Sequence, residues 1–273
     1  MSRSKTIRRI FSKTLAIAEK NVRTQIRFKY YMIWKWFLPI ITLLMPIIIL
    51  DRFFDFSTRI GPWTPQNYMI FVFVGYNIMI MQSMIDYIPK SLIQEKYWKT
   101  LPALMMAPFN RFYLLFGYII SEFVGILIPF TAFFVVILIF FPLSVLSIVI
   151  IILMFLGIGI VFSGLGLFLG VFAISNENFL YLFNVITRFL FWFSCVSYPF
   201  QLFPRSIQNI INLNPIYYLI DLIRLTWIEN NFTFTILSHP IHFSIFTFSL
   251  VIFPLVCVYV FNIIYKKLGI TGY

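Results

Sequence analysis

Long runs of apolar residues constrain this chain more than any other feature of its sequence. The runs at 113–141 and 143–173 contain a single charged side chain between them, and four further runs are nearly as apolar. A helix needs roughly 20 apolar residues to cross about 30 Å of hydrocarbon. A helix also bonds its own backbone polar groups, which hydrocarbon requires. The sequence therefore predicts an all-α, polytopic membrane protein.

Six transmembrane helices are predicted, at 33–50, 68–88, 113–141, 143–173, 179–198 and 243–265. Composition agrees, because 61% of the residues are hydrophobic and 11% are charged, whereas soluble domains carry about 25% charged residues. Proline and glycine mark the connection at 51–67. The segments 89–111 and 199–240 are too polar to be simple spans.

Residues 1–31 are predicted to form a basic amphipathic helix in the membrane interface. An apolar stripe recurs at three- and four-residue steps, and cations fall on the opposite face, as expected for a helix held by buried area and anionic lipid. The stripe is Ile7, Phe11, Leu15, Ala18, Val22 and Ile26, and the cations are Arg9, Lys13, Lys20, Arg23 and Arg27. A frayed basic tail is the alternative.

Lysine and arginine residues predict the orientation. There are ten in residues 1–35, four in 89–111 and two in the tail that begins at Lys266, against two in each of 51–67 and 199–240. Cytoplasmic loops carry an excess of these residues. Both termini are therefore predicted to be cytoplasmic, in a multi-pass protein of the plasma membrane. The same rule explains the basic balance without a nucleic-acid partner.

Motifs of catalysis and of nucleotide binding are missing from the sequence. It has no G-x-x-x-x-G-K-[ST] phosphate loop and no H-E-x-x-H motif. His239 and His242 lie three residues apart in a polar segment, where capping or solvation is a better interpretation than metal binding. The sequence thus indicates a protein that is not an enzyme and that binds no metal or cofactor of its own.

Of the charged residues within the predicted spans, Glu122 and Arg188 lie farthest from the span ends. Such residues either serve a function in the membrane or reach the interface with their long side chains. A stripe of small residues is the other feature of the spans. Gly159, Ser163, Gly166 and Gly170 recur at steps of four, three and four in the fourth span, which favours close helix packing. The stripe packs either inside one bundle, the favoured interpretation, or against a second copy.

The segment after the second span resembles the cytoplasmic loop of ABC-2 type transporter permeases. Residues Glu95 to Leu101 read E-K-Y-W-K-T-L, and Ala107 to Arg111 read A-P-F-N-R. The family pattern is Glu-Arg-x-x-Gly-Thr-Leu, followed by a proline and a basic residue. The chain departs from it at Lys99, where the family favours glycine, and at Pro102, where an acidic residue is common.

A second match follows the fifth span. Residues Ser194 to Pro199, then Asn214-Pro215 and Asp221 to Arg224, resemble the family's Ser-Gly-x-x-x-Pro, Asn-Pro and Asp-x-x-Arg sequence. Cys195 replaces the usual glycine. The resemblance extends to the number of spans, the order of the loops and the basic amphipathic start, and so covers most of the chain.

The resemblance implies a mechanism and a set of site residues. Two copies of the permease would pair as a homodimer in the lipid bilayer and dock on two cytoplasmic ATPase subunits. Those subunits would bind ATP and Mg²⁺. The loop at 89–111 would act as a coupling helix, and the segment 200–227 as a re-entrant helix pair that forms an external gate. The coupling residues would be Glu95, Lys96, Lys99, Thr100, Leu101 and Leu104, and the gate residues Pro199, Asn214 and Pro215.

Function is accordingly predicted as the transmembrane subunit of an ATP-driven exporter whose cargo the sequence does not identify. An exporter of glycans or lipid-linked polysaccharides within the same superfamily is the nearest alternative. An ion-coupled secondary transporter is the alternative from a different class. It would require buried ionisable residues for transport.

Overall fold

The computed structural model describes residues 3–56, 59–100, 111–176 and 178–268, and most of them are helical. A short 3₁₀ helix, Phe200–Leu202, precedes α7. The α-helices are α1 Arg3–Arg27, α2 Lys29–Phe56, α3 Tyr68–Tyr97, α4 Arg111–Phe140, α5 Val145–Ser175, α6 Asn178–Trp192, α7 Arg205–Ile211, α8 Pro215–Glu229, α9 Phe232–Ser238 and α10 Pro240–Leu268.

Five stretches of these helices are long and apolar enough to cross a membrane. They are Met32–Arg52, Tyr68–Tyr97, Phe116–Phe140, Val145–Ser175 and Pro240–Ile264. They coincide with the first four predicted spans and the sixth. The prediction of an all-α polytopic membrane protein is therefore confirmed.

The predicted fifth span is shorter in the structure than in the sequence analysis. Its helix, α6, has 15 residues and ends at Trp192 instead of continuing to residue 198. At 1.5 Å per residue this helix is about 22 Å long, less than the hydrocarbon thickness. The backbone after it turns away because polar side chains of later residues bind its free carbonyl groups, as described below.

The second span, in contrast, is longer than predicted. The helix was expected to stop at Ile88, yet α3 runs through Pro89 to Tyr97. Proline is tolerated inside a membrane helix where neighbouring helices cover the disturbed backbone. Here α5 covers it, since a Cβ on Gly170 would lie 3.5 Å from the Cα of Pro89. The first part of the predicted coupling loop is thus a direct continuation of a membrane helix.

Helices α3 and α5 form the centre of the bundle. Their facing side chains, such as Ile78, Met84 and Phe162, are fully buried. Helix α10 packs against α5 and against α8. Although α8 belongs to the polar segment 199–240, its residues Ile220 and Ile223 are also fully buried.

Helix α1 packs along α4 through a face that only partly follows the apolar stripe. Among the side chains of α1 that the structure describes, the buried ones are Thr14, Ala18, Asn21 and Gln25, and only Ala18 of these belongs to the stripe. Two residues of the stripe, Leu15 and Ile26, are instead about half exposed. The close contact uses Gly117 of α4, where a Cβ would lie 2.6 Å from Ile17. A small and polar face of α1 therefore contacts protein, and much of its apolar face points outward.

Candidate functional site

Helix α3 ends in a tight turn at Lys99, whose φ of 56° is left-handed. The N–H of Lys99 donates to the carbonyl of Lys96, and the N–H of Thr100 donates to the carbonyl of Glu95, both at 3.0 Å. This pair of bonds is a Schellman motif, in which glycine usually holds the left-handed position. The glycine expected at residue 99 thus has a physical reason. Lysine adopts the same backbone at a cost of roughly 1–2 kcal/mol.

The side chain of Glu95 faces the interior and is only 3% exposed. Its carboxylate accepts hydrogen bonds from Lys20 of α1 and from the hydroxyl of Thr100. The resemblance places Glu95 among the coupling residues. In the structure Glu95 ties α1 to the end of α3 and closes the turn.

The other predicted coupling residues differ in their exposure. Lys96 donates to the carbonyl of Ile174 at the end of α5, at 3.2 Å. Lys99 and Thr100 are exposed, as is Trp98, which the sequence analysis did not single out. Leu101 and Leu104 lie outside the described residues. Among the described residues, the accessible surface at this turn therefore includes Trp98, Lys99 and Thr100, next to the exposed Tyr97 at the end of α3.

Glu122 is fully buried where four helices meet. Lys35 of α2 donates to its Oε2 at 2.6 Å, and Ser83 of α3 donates to the same oxygen at 3.3 Å. Gln25 of α1 donates to its Oε1. Because the charge of Lys35 is also almost buried, the two charges neutralise each other. Glu122 thus holds a polar junction in the interior of the protein.

Arg188, the other charge predicted within a span, is exposed on α6. It interacts electrostatically with Asp86 of α3, and so does Lys90. All three line one cavity between α2, α3 and α6. The sequence analysis did not identify this group, although Asp86 and Lys90 are four residues apart and so share one face of a helix.

Arg224 is 1% exposed and was not predicted to be buried. Its Nη1 donates to the carbonyl of Cys195 at 2.7 Å, and its Nη2 donates to that of Val196 at 2.9 Å. Its guanidinium also lies 3.6 Å from the ring centroid of Phe71. Burial lowers the pKa of Arg224 to about 10, so the side chain keeps its charge at neutral pH.

The turn that Arg224 holds contains a second left-handed residue. Cys195 has a φ of 55° and is buried. Helix α3 also approaches this turn closely at Gly75, where a Cβ would lie 2.8 Å from the carbonyl oxygen of Val196. The glycine expected at residue 195 is therefore explained in the same way as the one expected at residue 99.

Asn214 joins the end of α6 to the start of α8. Its Nδ2 donates to the carbonyls of Leu190 at 2.7 Å and Phe193 at 3.1 Å. Its Oδ1 accepts from the N–H of Ile216 at 3.1 Å, which caps α8. Pro215 occupies the first turn of α8, where its missing N–H leaves no bond unmade.

Pro199, the third predicted gate residue, is buried and directly precedes the 3₁₀ helix. Its carbonyl accepts from the N–H of Leu202 at 3.1 Å. The three predicted gate residues thus lie at the ends of short helices in one folded segment, and two side chains of that segment, Asn214 and Arg224, bind the backbone at the end of α6.

The small-residue stripe of α5 faces the neighbouring helices of the same chain. A Cβ on Gly166 would lie 2.9 Å from the carbonyl oxygen of Met84 in α3. A Cβ on Gly159 would lie 2.5 Å from Phe123 of α4, and one on Gly170 would lie 2.7 Å from Leu92 of α3. Ser163 is fully buried, with its hydroxyl 3.8 Å from the sulfur of Met84.

The two histidines form pairs with carboxylates of α8. His239 Nε2 lies 3.1 Å from Glu229 Oε1, and His242 Nε2 lies 3.2 Å from Asp221 Oδ2. Within the described residues no group of three or more histidine, cysteine, aspartate or glutamate side chains has the geometry to hold a metal ion.

Comparison with protein families identifies a match. A family model described as ABC-2 type transporter matches residues 12–227. The matched region begins within α1 and ends within α8, so it includes the turn after α3, the buried Glu122 junction and Arg224. A search of curated proteins finds no match.

Proposed function

The chain belongs to the ABC-2 type transporter family and is a membrane permease of an ABC-type transporter, and from this premise we propose that it is the transmembrane subunit of an exporter driven by a separate ATPase. The sequence carries no phosphate-binding loop, so ATP and Mg²⁺ bind the partner chain. One permease supplies half of the transport pathway, and a second copy in the same plasma membrane supplies the other half.

The end of α3 is the observation that supports coupling to an ATPase. Because α3 is helical from Tyr68 to Tyr97, a force applied at its last turn acts directly on a membrane helix. The turn is held by the Schellman bonds and by Glu95, which binds Lys20 of α1. Trp98, Lys99 and Thr100 are exposed beside it and form the contact surface that we propose for the ATPase.

The proposed roles follow from this arrangement. Glu95 and Lys96 position the turn, since both bind elements of this chain. The outward apolar side chains of α1, such as Leu15 and Ile26, contact membrane lipid while its inner face holds α4. The segment from Pro199 to Pro215 closes the outer end of the pathway, and the bonds of Asn214 keep its short helices in place.

Co-purification tests the proposal. The tagged permease is expected to recover an ATPase subunit from its own cells. The double variant Trp98→Ala/Lys99→Glu should reduce recovery at least about tenfold, because it removes an exposed aromatic anchor and reverses a charge, each worth on the order of 1–2 kcal/mol at a contact. Arg205→Glu is the matched control for the charge reversal. Arg205 is exposed on α7, in the segment that the charge distribution assigns to the outside of the membrane.

The buried Glu122 favours ion-coupled transport, because secondary transporters use such residues. Its ion pair with Lys35 argues instead for a structural role. Transport measured in proteoliposomes separates the two functions. Transport that needs the ATPase and ATP supports the exporter, whereas transport that runs on an ion gradient without any ATPase contradicts it.

A further inference from the structure

A cavity of about 590 Å³ lies between α2, α3 and α6. This volume is typical of sites for small ligands. Apolar walls come from all three helices, and they include Leu38, Met45, Met79 and Phe191. Trp34 and Trp192 also line the cavity, and both are more than half exposed.

The cavity has a charged end and an apolar end. Contacts show that α3 runs antiparallel to both α2 and α6. For α2, the hydroxyl of Thr42 lies 3.3 Å from the sulfur of Met79, and Lys35 and Ser83 both reach Glu122. For α6, Asp86 interacts with Arg188, whereas Gly75, earlier in α3, faces the carbonyl of Val196, just beyond the end of α6. Consequently the charged lining residues lie together, and Met45, which is ten residues or about 15 Å beyond Lys35 along α2, lies toward the other end.

Cations outnumber anions at the charged end. The lining residues there are Lys35, Lys90 and Arg188, against one carboxylate, that of Asp86. Glu122, which does not line the cavity, neutralises the charge of Lys35. Among the described residues no carboxylate forms an ion pair with Lys90 or Arg188, although the charge of Asp86 interacts with both. One positive charge therefore remains for a ligand.

A second cavity of similar size has no charged side chain in its described lining. It measures about 530 Å³ and lies between α2, α3 and α4, where the described lining is apolar apart from Gln66 and the hydroxyl of Tyr76. A ligand for that cavity would need no charge. The cationic end is thus a specific property of the cavity beside α6.

We propose that the cavity between α2, α3 and α6 binds an amphipathic anion, with an acidic headgroup such as a phosphate monoester between Lys90 and Arg188 and an apolar chain along Leu38, Met79 and Phe191. This site would give the permease its substrate class, and in that respect the inference rests on the proposed transport function. The cation pair selects the headgroup, and the thioethers and aromatic rings accept chains of varied shape.

Tryptophan quenching tests the site directly. Lysophosphatidate with a brominated acyl chain is titrated into the purified full-length permease in a neutral detergent. Saturable quenching is expected, and Trp192→Phe should reduce its amplitude because that ring lines the cavity. Lysophosphatidylcholine with the same chain should bind about tenfold more weakly, since its headgroup carries no net charge.

Substitutions of the cations provide the decisive comparison. Lys90→Gln and Arg188→Gln should each weaken lysophosphatidate binding about tenfold and leave lysophosphatidylcholine binding unchanged. Arg188→Lys should retain most of the affinity. Arg205→Gln, which removes a cation on α7 and so matches the change in net charge, should have no effect. Binding that is indifferent to the headgroup or to both cations would overturn the inference.

A diacyl phosphatidate with the same bromine label distinguishes two sources of the ligand. If it binds as tightly as the single-chain compound, the occupant is a bilayer phospholipid; if it binds more weakly, the occupant is a single-chain molecule. Either result keeps the anionic specificity. Because no ATPase is present, loss of binding would leave the proposed exporter function intact, and failure to recover an ATPase would leave the site intact.

Discussion

Lys99 and Cys195 both have left-handed backbone, and both stand where the ABC-2 pattern has glycine. Only glycine adopts this conformation without steric cost. Lys99 lies in the turn that ends α3, and Cys195 lies in the turn that Arg224 holds. The chain therefore retains the family's turns with strained residues in them, which the surrounding contacts must hold in place.

Lys99→Gly should stabilise the protein because it removes this strain. A gain of about 0.5–1 kcal/mol is expected, less than the full left-handed cost because glycine is more flexible in the unfolded chain. In a protein of this size the midpoint of thermal unfolding should rise by about 2 °C. A thiol-reactive dye can follow unfolding in detergent, since Cys195 and Cys257 are buried.

Lys99→Ala is the matched control for that measurement. It removes the same charge and keeps a Cβ, so the strain stays and no increase in the unfolding midpoint is expected. An equal increase with alanine would mean that the charge, and not the backbone, limits stability at this turn.

Arg224 illustrates what the sequence could not reveal at this scale. The residue lies in a segment whose composition suggests an exposed loop, yet it is fully enclosed. Its partners are main-chain carbonyls 28 and 29 residues earlier, and carbonyl groups leave no trace in a sequence. Only the Asp-x-x-Arg resemblance marked the position.

At the scale of elements, α3 and α5 approach closely because small residues of α5 lie against the backbone of α3. Gly166 faces the carbonyls of Met84 and Ile85, where a Cβ would lie 2.9 and 3.1 Å from oxygen. Backbone cannot move aside as a side chain can. The steps of four and three residues predicted close packing, and the favoured interpretation, packing within one bundle, describes the contacts that the structure shows.

Gly166→Ala should force α3 and α5 apart and destabilise the protein by about 1–3 kcal/mol, the usual cost of overpacking. Gly157→Ala is the control on the same helix, because its Cβ would meet the end of the flexible Leu250 side chain at 2.8 Å and the ring of Phe246 at an ordinary contact distance of 3.4 Å. The thermal midpoint should fall for the first variant and change little for the second. Equal effects would contradict this account.

The Glu122 junction is the polar counterpart of that contact. Lys35→Met should destabilise the protein by about 3–5 kcal/mol, since it leaves a buried carboxylate without its cation. Adding Glu122→Leu should recover much of the loss, because the buried charge is then absent as well. Additive losses in unfolding free energy would show that the two side chains act independently.

The elements that the sequence predicted well are those whose signal is local. Five long apolar helices follow from composition alone. The end of α6 at Trp192 and the continuation of α3 through Pro89 do not, because residues far along the chain decide them. Asn214 binds the last carbonyls of α6, and α5 covers the backbone near Pro89.

At the scale of the whole molecule, the distribution of lysine and arginine predicts that α1 and the end of α3 share the cytoplasmic side. The contact between Lys20 and Glu95 agrees with a common side for these two elements. Helix α7 lies in the segment 199–240, which the same rule assigns to the outside.

Cysteine labelling of intact cells can test this orientation. A membrane-impermeant maleimide should label Asn209→Cys on α7 and should leave Ala16→Cys on α1 unlabelled until the cells are permeabilised. Both positions are exposed in the structure. The native cysteines are buried and should give little background. The reverse labelling pattern would invert the topology and place the proposed ATPase contact on the wrong side.

The uninterrupted length of α3 has a mechanical consequence. Helix α5 contacts α3 closely from Met84 to Pro89, nearer to the Tyr97 end of α3 than to its Tyr68 end. At 1.5 Å per residue, Glu95 lies roughly 13 Å from the centre of that contact and Tyr68 lies roughly 28 Å from it in the opposite direction. We expect the helix to pivot there as an unequal lever, so that a displacement of about 1 Å at its base becomes a swing of about 2 Å at its tip.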